Sequence, residues 1–386
     1  MTSEGLRILV DATALPRDRG GVGRYVDELV SALPALGARV VVAAQEHDRD
    51  HFAHLVGSAA VVGAPQWAGA QLPRLLWEQS GLAVAARRLR PDVVLSPHYT
   101  MPLADALPRS VPQVVTLHDA TFFSHPEVHT RVKARFFTTW TRISTRVADA
   151  LVMPSEATRR EVLAHTGADP AKLVVVPHGV DHARFRPPTP ALVEAARAWA
   201  GVAPGTAYLA FLGTLEPRKN VPALVRAFVA ACADRSDPPA LVLAGGRGWD
   251  SEIDAALAAV PTHLRVLRPG FIPDDLVTGL LGGAEIVTYP SLGEGFGLPV
   301  LEAMACGAPV LTTRRLSLPE VGGDAVEYAA TPEAADIASA IGGLLDDPSR
   351  REQLRRLAIA RAGTFTWEAT ARGHLDLLTR VAARRG

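Results

Sequence analysis

Along the chain, short runs of Val, Leu and Ile alternate with longer Ala/Leu/Arg-rich stretches whose apolar positions recur every three or four residues. Strands of a parallel sheet, covered on both faces, read as continuous apolar runs, and the amphipathic helices that connect them read with helical spacing. In the first half the pattern predicts strands at Arg7–Val10, Arg39–Ala43, Val93–Ser96, Val114–Leu117, Ala150–Met153 and Leu173–Val176. After the first of these, Val26, Leu29, Val30 and Leu33 mark a helix. In the second half, strands are predicted at Tyr208–Leu212, Leu241–Ala244, Leu264–Leu267, Glu285–Tyr289 and Pro309–Thr312. Helices are predicted over Val221–Ala233, Ser251–Ala259, Glu333–Leu345, Arg351–Ala362 and Trp367–Ala383.

Between the halves lies Phe185-Arg186-Pro187-Pro188-Thr189-Pro190. Three prolines in four residues continue neither a helix nor a central strand, so the domain boundary is placed there. A chain of 386 residues exceeds the usual size of one hydrophobic core. The reading is an α/β chain of two similar domains, residues 1–187 and 188–366, with 367–386 completing the first. Open parallel sheets bind ligands at the carboxyl ends of their strands, so a ligand held by both halves is expected.

Lys plus Arg and Asp plus Glu number 40 each, which leaves no basic excess of the kind that phosphate neutralisation demands of a nucleic-acid binder. Any anion site is therefore local. Cys232 and Cys306 are too few and too far apart for a disulfide framework and read as buried structural thiols, in keeping with a reducing, cytoplasmic setting. The opening MTSEGLRILVDAT reads as a first strand and not as a secretory leader, and no apolar run approaches the ~18 residues of a membrane span.

Gly20-Gly21-Val22-Gly23 stands between a strand and an amphipathic helix, where bare backbone donors and the helix terminus suit a phosphate; a tight turn without ligand is the alternative. No GK[ST] follows and GGVG falls short of GxGxxG. Arg218 and Lys219 follow a strand, with Asn220 placed to cap the next helix. Such a pair can neutralise a diphosphate, although alone it reads more often as solvated surface. Glu294 and Glu302 flank a glycine-rich turn and the start of a helix. Eight helical residues span about 12 Å, which gives no support to a hydrolase carboxylate pair working across about 5–9.5 Å. One Glu contacting a sugar and the other a ribose diol is the better division, against an unspecific loop followed by a solvated helical Glu.

With these motifs in order, the chain resembles the GT-B glycosyltransferases of family 4 over nearly its whole length. The resemblance is carried by GGVGRY, LHDATFFSHPE at 117–127, VMPSEATRREV at 152–162, VVVPHGVD at 174–181, FLGTLEPRKN at 211–220, LVLAGGRGW at 241–249, the Glu294-to-Glu302 segment and SLPEVGGD at 317–324. It implies two facing Rossmann-like domains with an interdomain cleft and a C-terminal helix crossing back to the first. It further implies a retaining, metal-independent hexosyltransferase that uses a nucleotide-sugar donor as substrate, needs no cofactor, and takes a hydroxyl-bearing glycan, glycolipid or small-molecule acceptor. Gly21 and Gly23 match the phosphate-approaching glycines, Arg218 and Lys219 the diphosphate-binding pair, Glu294 the residue holding the donor sugar with the backbone of Gly295, Phe296, Gly297 and Leu298, and Glu302 the ribose ligand. The base is expected near Arg247 and Phe271. His118 matches a histidine beside the reacting sugar, with a core or loop-orienting histidine as its alternative, and Asp119 organises the His118 loop or touches acceptor. The HDATFFSHPE tract resembles bacterial mannosyltransferases, which favours GDP-mannose; UDP-glucose and UDP-N-acetylglucosamine are the alternatives, as are a phosphorylase or a noncatalytic nucleotide-sugar binder.

Two further features carry weaker expectations. Asp48-Arg49-Asp50 with His47, His51 and His54 has metal-like spacing but reads as a solvated polar loop or helix end. RVKARFFTTWTRISTR, residues 131–146, has five cations and no acid. It reads as a helix packed on the first sheet through Phe136, Phe137, Trp140 and Ile143, or as a peripheral contact with the inner face of a membrane.

Overall fold

The computed structural model describes residues 5–15, 19–103 and 111–384; residues 1–4 of the opening segment and 16–18 of the glycine-rich segment lie outside the described residues. The chain divides into two compact units, Met1–Gly179 with Trp367–Gly386, and Val180–Thr366.

In the first unit the strands are β1 (Arg7–Asp11), β2 (Arg39–Ala44), β3 (Val61–Gly63), β4 (Val93–Ser96), β5 (Gln113–Thr116), β6 (Ala150–Met153) and β7 (Leu173–Val175). All pair in parallel, in the order β3-β2-β1-β4-β5-β6-β7. Helices α1 (Gly20–Ala35), α2 (Arg49–Val56), α3 (Gln71–Leu89), α4 (Thr121–Ser124), α5 (Arg131–Val147) and α6 (Glu156–Thr166) connect them. Ile8, Leu9 and Val10 of β1 have no exposed surface, as continuous apolar runs in a doubly covered sheet require.

The second unit carries β8 (Tyr208–Leu212), β9 (Ala240–Ala244), β10 (Val266–Gly270), β11 (Ile286–Tyr289), β12 (Val310–Thr313) and β13 (Glu327–Ala329), parallel in the order β10-β9-β8-β11-β12-β13. Its helices are α7 (Pro190–Ala200), α8 (Val221–Cys232), α9 (Ile253–Ala258), α10 (Val277–Gly282), α11 (Leu298–Ala305), α12 (Leu318–Gly322), α13 (Ala334–Asp346) and α14 (Pro348–Ala362). The final helix, α15 (Trp367–Ala383), belongs to the first unit and packs on α1. The crossing expected of the C-terminal segment is thus present.

Two α/β domains with parallel sheets are what the periodicity predicted, and among the strands the departures lie at sheet edges. β3 and β13 are three-residue strands whose residues are mostly half-exposed, too short for an apolar run to announce them. β10 begins later than expected and includes Pro269, with its register against β9 interrupted before Gly270. An edge strand tolerates a residue that cannot donate to the ladder. Cys232 and Cys306 are buried free thiols, pushed up by burial to about 11 and about 12.

In each sheet the strand order reverses once, between β1 and β4 and between β8 and β11. Loops leaving adjacent strands diverge there, which opens the crevice at the carboxyl ends of the strands. In the second unit this end is tightly laced. Leu215 N donates to Gly246 O at 2.9 Å, and Gly248, at φ +62°, lies where an added Cβ would stand 1.9 Å from Leu215 O. Gly248→Ala is therefore expected to lower stability by roughly 1–3 kcal/mol, from left-handed strain plus backbone collision. Urea unfolding followed by tryptophan fluorescence checks this, and an unchanged midpoint would show that the two loops are not in contact.

Candidate active site

β8 and β11 are neighbours, so the loops that follow them, 213–220 and 290–297, meet at the reversal of strand order although some 75 residues separate them. Pro217-Arg218-Lys219 form a single tight turn. Asn220, expected to cap α8, takes a left-handed conformation at φ 59° and makes no side-chain cap. Its amide donates instead to Pro332 O at 2.8 Å and Pro290 O at 3.3 Å, holding the β8 loop against the β11 loop. Leu292 N donates to Arg218 O at 2.8 Å, a second clamp between the same loops.

Within this frame Glu294 lies between both cations. Arg218 Nη1 donates to Glu294 Oε2 and, at 2.8 Å, to Gly293 O, while its Nη2 reaches Glu216 Oε1 at 2.7 Å. Lys219 Nζ donates to Glu294 Oε1 at 2.8 Å and to the Tyr289 hydroxyl. Ser291 Oγ completes the carboxylate shell, donating to Glu294 Oε1 at 2.7 Å. Glu294 is only 7% exposed. Burial alone would push its carboxyl up, but Arg218 and Lys219 outweigh this and hold it down at about 2. Lys219 is shifted below the usual ammonium range by burial and by Arg218, partly offset by Glu294 and Glu216.

The structure therefore brings together three residues singled out from the sequence, Arg218, Lys219 and Glu294. Glu216, Tyr289 and Ser291 were not anticipated. Tyr289 meets Lys219 only because β8 and β11 are adjacent, while Glu216 and Ser291 act within their own loops, on Arg218 and Glu294; a Tyr at a strand end or a Ser in a turn carries no local signal. Gly295, Phe296, Gly297 and Leu298 continue the loop into α11, and Ser317 Oγ fixes it by reaching Glu294 O at 2.7 Å and Phe296 O at 2.8 Å. Glu302, on α11, is 2% exposed and so is not a solvated helical residue. Arg247 and Phe271 sit on the loops following β9 and β10, at the same end of the sheet; both are exposed, Phe271 to 69%. Trp249, also exposed on the β9 loop, was not singled out.

In the first unit the residues of interest cluster at the equivalent sheet end. His118 follows β5, and its Nε2–H donates to Pro97 O at 2.6 Å. Burial lowers its pKa, with the Pro97 bond and Asp119 opposing, so the ring is neutral. Asp119 Oδ1 accepts from Thr121 N at 3.2 Å and from Thr121 Oγ1 at 3.1 Å, which organises the loop. His98, His178 and His374, none of them anticipated, gather around Tyr25 and His118.

Gly21 and Gly23 lie inside the first turn of α1 and not in a loop before it. Gly23 is buried, and a Cβ there would meet Arg19 Cβ at 2.2 Å: the residue is small because the Arg19 side chain crosses it. Arg19 is in turn held by Asp27 at 2.5 Å and Asp48 at 2.8 Å. The Asp48-Arg49-Asp50 segment lies at a helix end with Arg49 and Asp50 exposed, but Asp48 departs from the solvated reading: it is 6% exposed and serves as an internal anchor. His51 pairs with Asp27 at 3.0 Å. Among the described residues, no three His, Cys, Asp or Glu side chains are grouped as metal ligands. On α5 the buried line is Thr141, Ser144 and Thr145; Phe136, Phe137, Trp140 and Ile143 are half-buried, with Phe137 packed on Tyr99 at 4.7 Å between ring centroids. Among the described residues no helix is long and apolar enough to cross a membrane.

The Glu294 environment has a thermodynamic signature. Its folded-state pKa is depressed, so its contribution to stability is fully present above the ordinary value of 4.5 and is lost as pH falls towards about 2. Wild-type unfolding midpoints are expected to drop through that window with a steeper slope than those of Glu294→Gln. Parallel slopes in the two proteins would contradict the buried ion cluster.

The sequence matches two family descriptions in succession, Glycosyltransferase Family 4 over residues 19–184 and Glycosyl transferases group 1 over residues 194–361. The O-antigen chain mannosyltransferase B of Escherichia coli is 33% identical over 261 residues, covering 66% of this chain and 67% of that protein. The D-inositol 3-phosphate glycosyltransferase of Pseudarthrobacter chlorophenolicus is 30% identical over 396 residues, covering 92% and 89%. Against three other proteins of that description, the matched segment spans only 52% to 60% of the relative's length. Anabaena Alr3699/HepE, solved in complex with UDP and glucose, shares the fold with a TM-score of 0.73 at 19% identity, over 97% of this chain and 100% of that one. With two successive Rossmann-like domains matched to these two descriptions, the chain belongs to the glycosyltransferases that join an N-terminal Family 4 domain to a C-terminal group 1 domain.

Proposed function

We propose that this glycosyltransferase moves a hexose from a nucleotide-sugar donor to a hydroxyl of a glycan, glycolipid or small-molecule acceptor, with retention at the anomeric carbon. The observation that carries the reading is the buried Arg218–Lys219–Glu294 cluster at the strand reversal of the second unit. In this reading residues 188–366 hold the donor, while residues 1–187 with 367–386 serve the acceptor side. Arg218 and Lys219 neutralise the donor diphosphate, with Gly21 and Gly23 near its phosphates. Glu294 and the backbone from Gly295 to Leu298 hold the sugar, Glu302 holds the ribose diol, and the base lies by Arg247 and Phe271.

The acceptor oxygen forms its bond to the anomeric carbon on the face from which the nucleoside diphosphate departs. The leaving phosphate oxygen takes the acceptor proton, so no separate base is required. Charge grows on the diphosphate as the glycosidic bond breaks, and the two cations act where that charge develops. Glu294 holds them in register and keeps the cluster neutral in combination with Glu216 until the donor enters. In this reading His118, with its Nε2–H given to Pro97 O, accepts a hydrogen bond from a sugar hydroxyl through Nδ1.

GDP-mannose is the preferred donor in this proposal, supported by the HDATFFSHPE tract and by similarity to the E. coli mannosyltransferase. Similarity to the D-inositol 3-phosphate glycosyltransferases supports testing a polyol phosphate among the acceptors. The proposed setting is cytoplasmic, with α5 packed on the first sheet; contact of this helix with the inner membrane face is the alternative reading.

Calorimetry with GDP-mannose, UDP-glucose and UDP-N-acetylglucosamine in the presence of EDTA tests the donor assignment. Selective binding of GDP-mannose is expected, and failure of folded protein to bind any of the three would overturn the transferase reading. Arg218→Ala is expected to reduce kcat for nucleoside diphosphate release by roughly 10²-fold, the cost of removing one group that stabilises developing charge. Unchanged kcat at saturating donor would remove Arg218 from the mechanism.

A further inference from the structure

α15 delivers His374 into the interior of the first unit, where it is completely buried, and sets it against Tyr25 of α1. His374 Nδ1 lies 2.8 Å from Thr370 O, and a carbonyl only accepts, so Nδ1 carries the proton and Nε2 the lone pair. The Tyr25 hydroxyl, 2.8 Å from His374 Nε2, therefore donates to it and accepts from Thr116 Oγ1 at 2.9 Å. Both ends of the Tyr25 hydroxyl are thereby satisfied, which a phenol with no exposed surface requires. The polarity of this chain is fixed by the Thr370 carbonyl at its far end.

The ring so held is the wall of the His118 site. Tyr25 stands edge to face with His118 at 5.1 Å between centroids and packs on His178 at 4.8 Å. His118 is tethered on its other side by the Pro97 carbonyl, 2.6 Å from Nε2. The same argument applied there puts the proton on Nε2 and leaves Nδ1 as the nitrogen with a free electron pair. Two fixed contacts, the carbonyl and the Tyr25 ring, thus set both the tilt of the imidazole and the direction in which Nδ1 presents its lone pair.

We propose that Tyr25 and His374 are positioning residues for His118, so that the C-terminal helix acts on the reaction as well as on folding. The inference rests on His118 standing beside the reacting sugar. It adds that a residue 256 positions further along the chain, His374, determines how that histidine is presented. Misplacement of a reacting-site group by about 1 Å costs up to roughly 10²-fold in rate, so the smaller shift of a packed ring that has lost its hydroxyl anchor is expected to cost less than that.

Two measurements test it. Imidazole spectra of protein labelled with 15N-histidine, taken without ligand at neutral pH, are expected to show His118 as the Nε2–H tautomer and His374 as the Nδ1–H tautomer. Tyr25→Phe is expected to move the His118 resonances; His118 resonances unchanged by the substitution would overturn the proposal. Then kcat and KM for nucleoside diphosphate release from GDP-mannose, or from whichever sugar nucleotide the panel selects, are measured for Tyr25→Phe, His374→Phe, His118→Ala and the Tyr25→Phe/His118→Ala double variant. Tyr25→Phe and His374→Phe should each lower kcat about tenfold with donor KM little changed, and Tyr25→Phe should have no further effect once His118 is absent. Equal losses in both backgrounds, or no loss in either single variant while His118→Ala is impaired, would overturn the positioning role and leave the His118 assignment standing. Unimpaired His118→Ala would remove the His118 assignment itself, and the positioning role with it. Tyr25→Phe removes one oxygen and preserves packing, so it keeps the test open if His374→Phe fails to fold.

Discussion

A carboxylate buried between two cations is the constraint around which the second domain is arranged. Glu294 has almost no access to water, and its charge is tolerated only because Arg218, Lys219 and Ser291 replace the lost hydration with directed hydrogen bonds. Those groups come from loops that follow different strands, so the cluster exists only when β8 and β11 lie side by side in parallel. The Asn220 and Leu292 clamps and the Ser317 hydroxyl then hold the backbone that presents the charges. Removing one member leaves a charge stranded in low dielectric, which makes the cluster both a structural joint and a rigid charge array.

The first domain solves the complementary problem with neutral groups. Burial lowers the pKa of His98 to about 3 and of His374 to about 4, and shifts His118 and His178 in the same direction. A packed set of histidines is stable because none of them is charged. Aromatic contacts and hydrogen bonds to carbonyl oxygens fix the orientation and tautomers of His118 and His374. The C-terminal helix enters this core through His374 and Trp367, the latter packed on His178.

The start of α1 shows how a segment can be misjudged locally. Arg19 must cross Gly23 to reach Asp27 and Asp48, and its guanidinium also stacks over Phe52 at 5.0 Å. A glycine that reads as an opening for phosphate is equally the only residue that leaves room for this arginine stem. An Asp-Arg-Asp run that reads as exposed polarity supplies the anchor at its far end.

The sequence by itself determined the fold class and most of the elements. Doubly buried parallel strands demand unbroken apolar runs, and amphipathic crossovers demand helical spacing; both are properties of contiguous residues. Among the described strands, only β3 and β13, short and partly solvated, escaped that logic, while helices such as α3 and α7 were not picked out. The Arg218-Lys219 pair, the two glutamates and His118 were legible because ordered motifs resembled a known family. Tertiary structure alone decided that Glu294 bridges both cations, that Tyr289 and Ser291 complete its shell, that Asp48 anchors Arg19, and that His374 reaches Tyr25 across most of the chain. Apart from the Ser291–Glu294 bond, which is local to one loop, each of these is a contact between residues far apart in sequence, set by strand order and helix docking, and side chains so joined leave no periodic trace in the segments that carry them.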